Sequence, residues 1–144
     1  MLKKISPAAE SGIYPKLAHH VARLSSTGGQ MSRLCFALDL KDDPKAIEAY
    51  KKWHAPGGPP AAVIRSIRAA GIESLEIYLC GNRLFLVMEV SPAFSLAATA
   101  ASDAADADVQ AWEQLMWNFQ QPLPWAAPGE KWVPAEMIFD LARQ

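Results

Sequence analysis

No helix can cross Ala55-Pro56-Gly57-Gly58-Pro59-Pro60 unbroken, because each proline lacks the amide hydrogen an interior turn requires and the paired glycines add backbone freedom. These six residues divide the surrounding helical material into two pieces and fix a turn between them. Upstream, Pro44 suits a first helical position and Asp42 and Asp43 are capping candidates. Ile47, Tyr50 and His54 follow the i, i+3, i+7 spacing of a core-facing stripe, while Glu48, Lys51 and Lys52 fall to the sides and outside. Downstream, Val63, Ile64 and Ile67 make a second amphipathic set within residues 60 to 70, stopped by Gly71. The expected unit is a helical crossover broken in its middle, and Gly57-Gly58 reads as its turn rather than as a phosphate cradle.

A period of two frames this crossover. Leu34, Phe36, Leu38 and Leu40 alternate with Arg33, Cys35, Ala37 and Asp39, which predicts a half-buried strand over residues 33 to 40. Leu75, Ile77 and Leu79 alternate with Glu76, Tyr78 and Cys80; Gly81-Asn82 then supplies a turn before the apolar run of residues 84 to 90, giving a hairpin. The Ala-rich residues 93 to 107 predict a short helix and a loop. Trp112, Leu115, Met116 and Phe119 mark a long amphipathic helix over residues 109 to 120, ended by Pro122 and Pro124. Val133, Ala135, Met137, Phe139 and Leu141 alternate with Pro134, Glu136, Ile138 and Asp140, which predicts a final strand. The order is βαββαβ, that of an α+β ferredoxin-like sandwich with an antiparallel four-stranded sheet and helices on one face. A second copy packing sheet to sheet would cover the other face, so a homodimer of the dimeric α/β-barrel type is expected.

Composition narrows the function classes. With 144 residues, 51% of them hydrophobic, the chain has material for one core and no second. A net charge of −1 and the absence of a basic stripe argue against nucleic acid. No apolar run reaches the roughly 18 residues of a membrane helix. Cys35 and Cys80 lack zinc or CxxC spacing and read as small buried residues suited to a reducing cytoplasm. Ser6, Pro7, Glu10 and Ser11 interrupt any secretory core after Lys3 and Lys4, so export is not expected. Residues 1–30 have only the weak periodicity of Leu17, Val21 and Leu24, and His19-His20 has no ligand spacing around it. They are expected to be a disordered or loosely packed extension, with residues 31–144 as the single domain and Met31 a candidate translation start. There is no GxGxxG, Walker, GxSxG or HExxH motif, so no cofactor and no metal are expected.

Proton-handling side chains remain. Tyr50 and His54 lie one helical turn apart and point the same way, with the imidazole in the last turn beside the proline-rich loop. Core packing by Tyr50 and a helix-end role for His54 are the ordinary alternatives. Glu76, Tyr78, Glu89, Trp112 and Glu113 complete the set: Glu89 closes an apolar strand, Glu76 and Tyr78 share a strand face, and Trp112 offers either core volume or an aromatic platform for a sugar. Trp117, Trp125 and Trp132 flank the proline-rich loop and are expected to anchor it.

The segment Tyr50-Lys51-Lys52-Trp53-His54-Ala55-Pro56, followed by Gly71 and the Ile77-Tyr78-Leu79 strand, Leu84-Phe85 leading to Glu89, and Trp112 with Met116, resembles the L-rhamnose mutarotase family. The resemblance covers about residues 31 to 142. It implies a dimeric ferredoxin-like enzyme, an isomerase interconverting the α and β anomers of a 6-deoxyhexose without cofactor or metal. It also implies His54 as the catalytic proton donor, with Tyr50 contacting the sugar and Trp112 lining the pocket; Tyr78, Glu89 and Glu113 join them as candidate sugar contacts. Histidine, with an ordinary pKa near 6.5, can take or give a proton near neutrality. The chain departs from the rhamnose pattern after His54, where Ala55 to Pro60 replaces Asn-Pro and a Trp-Pro-Glu element, at Leu75 where the family holds a tyrosine, and at Trp112-Glu113 where it holds paired tryptophans. Those departures make L-fucose the leading alternative to L-rhamnose. A non-catalytic small-molecule-binding dimer and a cofactorless oxygenase or decarboxylase of the same fold are the competing functional classes.

Overall fold

Residues 31–144 are described by a computed structural model of the chain; the expectations for residues 1–30, and for His19 and His20, lie outside them. Strand β1 (Ser32–Leu40) follows the alternation closely, with Leu34, Phe36, Leu38 and Leu40 all buried. Helix α1 (Pro44–Trp53) has Pro44 in its first turn and Asp43 as its N-cap, whose carboxylate accepts from the Lys45 amide at 3.3 Å. The break is real: Gly57 takes φ +82°, and a Cβ on Gly58 would lie 2.2 Å from the Trp53 carbonyl oxygen, so the turn folds back on the end of α1 in a way only glycine allows. Helix α2 (Ala61–Ala69) completes the crossover, and Gly71 at φ +87° sends the chain into β2 (Ile72–Cys80).

Strands β2 and β3 (Arg83–Val90) form the hairpin about Gly81-Asn82. Helix α3 (Leu96–Ala105) is capped by Ser95, and α4 (Ala107–Trp117) by Asp106, whose carboxylate accepts from the Asp108 and Val109 amides. The two short strands β4 (Gln120–Gln121) and β5 (Val133–Pro134) both pair antiparallel with β1. The sheet order is β2-β3-β1-β4 with β5 also on β1, all pairs antiparallel. This is the ferredoxin-like α+β arrangement expected from the element order. The sheet's inner face (Leu34, Phe36, Leu38, Leu84, Leu86, Met88) packs under Tyr50, Val63, Trp112 and Met116 from the helices. Strand contacts alternate so strictly that Phe85, Val87, Cys35 and Ala37 belong to the opposite face.

Three expectations change. The final strand does not run from 133 to 141: β5 is two residues long, extended only by the Ala135 amide donating to the Cys35 carbonyl, and a 3₁₀ turn closes the chain at Leu141–Arg143. Pro134 has no amide hydrogen to continue the ladder, and Met137, Ile138, Phe139 and Leu141 all stand exposed, so the alternation there finds no neighbour among the described residues. Gln120, expected at the end of the last helix, instead begins β4, after α4 has stopped at Trp117. Finally, Cys80 is exposed and Cys35 half-buried, because they sit on the outer face and at the hairpin end of the sheet.

Candidate active site

The proline-rich turn leaves His54 at the C-cap of α1, with its ring free to fold back over the last turn. Its Nδ1 lies 2.8 Å from the Tyr50 carbonyl oxygen, an acceptor only, so Nδ1 carries the hydrogen and Nε2 holds the lone pair. Burial pushes the imidazole below its ordinary pKa of 6.5, partly opposed by that hydrogen bond. The resting ring is neutral near pH 7, with one acceptor left for chemistry. The Tyr50 ring stacks on it at 4.1 Å between centroids, and the Trp112 indole meets it edge-on at 5.5 Å. Trp53 in turn meets Trp112 at 6.0 Å, closing the aromatic corner.

These side chains border a cavity of about 330 Å³ between the helices and the inner face of the sheet. Its floor is apolar: Leu75, Ile77 and Leu86 from the strands, with Val63, Ile67 and Met116 from the helices. Polar groups are few and converge on it, namely Tyr50, His54, Glu113, Gln120 and Lys131. Burial of the Tyr50 phenol raises its pKa to about 12, so it stays a hydrogen-bond donor at any physiological pH, and Gln120 Nε2 donates to its oxygen at 3.4 Å. The Lys131 ammonium donates to the Glu113 backbone carbonyl at 3.3 Å and lies 4.6 Å from the Trp117 ring centroid. Burial lowers its pKa, while the Glu113 carboxylate opposes that shift. No cluster of three or more His, Cys, Asp or Glu side chains suited to a metal occurs among the described residues.

Of the residues singled out in the sequence, Tyr50, His54, Trp112 and Glu113 come together here. Tyr78 and Glu89 do not line this cavity. Strand parity decides it: Leu75 and Ile77 face the cavity, so Tyr78 faces away beside its cross-strand partner Phe85, and Glu89 leaves the apolar face occupied by Met88 and Val90. On the outer face Tyr78 donates to Glu76, and Arg33 pairs with Glu89 at 2.7 Å. Trp132, expected to anchor the loop, is buried and also forms part of the cavity wall, whereas Trp125 is exposed and stacks beneath the Arg83 guanidinium at 4.9 Å. Gln120, Lys131 and Trp132 were missed because no periodicity marks the irregular chain after α4. Gln120 lies in a strand of two residues just before the proline-rich loop, and Lys131 and Trp132 lie between that loop and β5.

Residues 33–141 match the model of a family described as L-rhamnose mutarotase. The chain belongs to the L-rhamnose mutarotase family. Within that family framework, it is 49% identical over 112 residues to a protein named L-fucose mutarotase from Xanthomonas campestris pv. campestris, covering 78% of this chain and 90% of that one. It is also 31% identical over 109 residues to a UPF0734 protein of Dictyostelium discoideum, covering 73% of this chain and 86% of the relative. The crystal structure of an L-rhamnose mutarotase from Formosa agariphila shares the fold, with a TM-score of 0.56 at 22% identity over 76% of this chain and 98% of that one. The mutarotase family assignment agrees with a cavity in which one neutral histidine, one un-ionised phenol and an aromatic wall meet.

Proposed function

We propose that the chain is an isomerase of the aldose 1-epimerase type, a mutarotase interconverting the α and β anomers of a 6-deoxyhexose, with L-fucose preferred over L-rhamnose. The observation that carries this reading is the His54 ring, whose Nδ1–H is tied to the Tyr50 carbonyl so that Nε2 is the one position open to a substrate proton. In the α-to-β direction, Nε2 takes the proton from the anomeric hydroxyl. The electrons of that O–H bond form the C1 carbonyl, the bond from C1 to the ring oxygen breaks, and the ring oxygen takes the proton back from the imidazolium. Both oxygens are bonded to the same carbon, so one imidazole serves both transfers with a small shift of the sugar. Rotation about C1–C2 presents the other carbonyl face, and reversal of the same steps closes the ring.

Tyr50 is the sugar contact in this scheme. Gln120 occupies a lone pair of its oxygen, which leaves the phenolic hydrogen for a substrate oxygen, and burial keeps that hydrogen in place. Trp112 supplies an aromatic surface for the CH groups of the ring, and Glu113 a carboxylate at the same wall. The cavity volume of about 330 Å³ stands near the lower end of the roughly 300–1,000 Å³ usual for small ligands, as a monosaccharide requires. L-fucose is favoured by the name of the 49% identical relative and by the departures from the rhamnose pattern at Leu75 and Glu113, both of which line the cavity. The working form is a cytoplasmic homodimer: Phe85, 37% exposed, and Tyr78, 55% exposed, leave the outer sheet face for a second copy to cover.

Saturation-transfer NMR of anomeric exchange over a panel of aldoses tests the reading directly. L-fucose should exchange fastest, with L-rhamnose slower. Exchange no faster than buffer for every sugar would remove the mutarotase assignment for this chain.

A further inference from the structure

The reaction scheme above uses the Gln120 amide nitrogen, which holds the Tyr50 oxygen, and leaves its amide oxygen without a role. Gln120 is only 6% exposed, lines the cavity, and has its amide oxygen buried with no hydrogen-bond partner among the described residues. Its amide nitrogen is engaged at 3.4 Å by the Tyr50 oxygen. The backbone that positions it is firmly held: Gln120 pairs with Leu40 at the sheet edge, and the preceding Phe119 carbonyl accepts from the Lys41 amide at 2.8 Å.

An orphaned buried acceptor is a standing loss of stability, and a methionine or leucine of similar volume would avoid it in a wall that is otherwise Leu, Ile, Val and Met. What satisfies an amide oxygen there is a hydroxyl hydrogen brought in by the ligand. Because the amide head is tethered to Tyr50 rather than to His54, it serves the sugar away from the anomeric centre. From this we infer that Gln120 is a specificity-determining residue of the cavity: its amide oxygen accepts from one ring hydroxyl other than the anomeric one, and so discriminates among aldoses by the presence and configuration of that hydroxyl. The inference rests on the mutarotase reading and extends it to the choice of substrate. A site built to hydrogen-bond a hydroxyl rejects the analogue that lacks it, since the site's own polar group is then left unpaired.

The test is a cycle between protein and substrate. Anomeric exchange is measured for wild type, Gln120→Met and Gln120→Glu with the fastest-exchanging sugar and its 2-, 3- and 4-deoxy analogues, with thermal melts to confirm folding. Wild type should lose about tenfold or more in kcat/KM on one of the three analogues. Gln120→Met should show that loss already on the parent sugar and no further loss on that analogue. Gln120→Glu, which keeps an acceptor, should retain discrimination against the same analogue, and carries the test if Gln120→Met does not fold. A merely structural role would lower exchange of every sugar by one common factor; that result, or no loss at all, overturns the inference while leaving the mutarotase reading intact. Absence of exchange by wild type with every sugar would overturn the reading, and the inference with it.

Discussion

Two side chains one helical turn apart do different things because their environments differ. Tyr50 is buried and held un-ionised, whereas His54 sits at the helix end with one nitrogen tied down and the other open. Replacing His54 by alanine should lower anomeric exchange about 10²- to 10⁴-fold, as removal of a general acid–base group does, and should change KM far less than kcat; full-rate exchange by the variant would remove His54 from the mechanism. The pH dependence follows from the lowered pKa of this imidazole. In the proposed scheme the neutral ring is the active form, so activity should persist below pH 6.5 and fall only as pH passes down through the lowered value. Stability has the same sign: between the folded value and 6.5 the unfolded state binds the extra proton, so this contribution is lost as pH falls across that window. A pH–rate profile for the wild type, with kcat/KM falling already above pH 6.5, would contradict this. The Tyr50–His54 pair was legible in the sequence because helical spacing fixes direction. Tyr78 and Glu89 were misjudged as companions because composition suggests a polar site, while strand parity, which puts them on the far side of the sheet, depends on which face the helices cover.

Among the elements, caps and breakers behaved as the local sequence dictates, and edges did not. Asp43, Ser95 and Asp106 begin their helices, and the Pro-Gly turn ends α1. One contact between elements makes a clear stability prediction: Asp103 on α3 is buried and accepts from the Ser66 hydroxyl of α2 at 3.0 Å. Burial raises its pKa above the ordinary 3.8, opposed by the Ser66 hydrogen bond and reinforced by Asp106. The native state therefore holds the extra proton between 3.8 and the raised value, and stability falls as pH rises through that window. Asp103→Asn keeps the acceptor and discards the charge, so its melting temperature should exceed wild type by a few degrees at pH 7 and by less near pH 4; a lower melting temperature at pH 7 would show that the carboxylate is better paired than its burial implies. The final strand, by contrast, was overread. Alternation predicts a strand only where a neighbour exists to pair with it, and beyond Ala135 no strand among the described residues pairs with this segment.

At the scale of the molecule, a sheet covered on one face by helices leaves its other face, and Met137, Ile138, Phe139 and Leu141, uncovered among the described residues. Ile138 is 91% exposed. If a second copy covers the outer sheet face, sedimentation equilibrium should give twice the 15.7 kDa chain mass, and Phe85→Glu should shift the equilibrium toward monomer without unfolding it. A monomeric wild type at micromolar concentration would rule that arrangement out. By itself the sequence determined the order of elements as far as the last helix, the alternation of β1 and β2, the broken crossover and the Tyr50–His54 pair, because these depend on periods of two and 3.6 and on proline and glycine, all local properties of the chain. Only the tertiary structure decided that β4 and β5 share one edge of β1 and that Gln120 from β4, with Lys131 and Trp132 from the loop before β5, meets the cavity. It also decided that Tyr78 and Glu89 stand across the sheet from His54. These are consequences of long-range pairing, which fixes where a residue goes without leaving any period in the sequence around it.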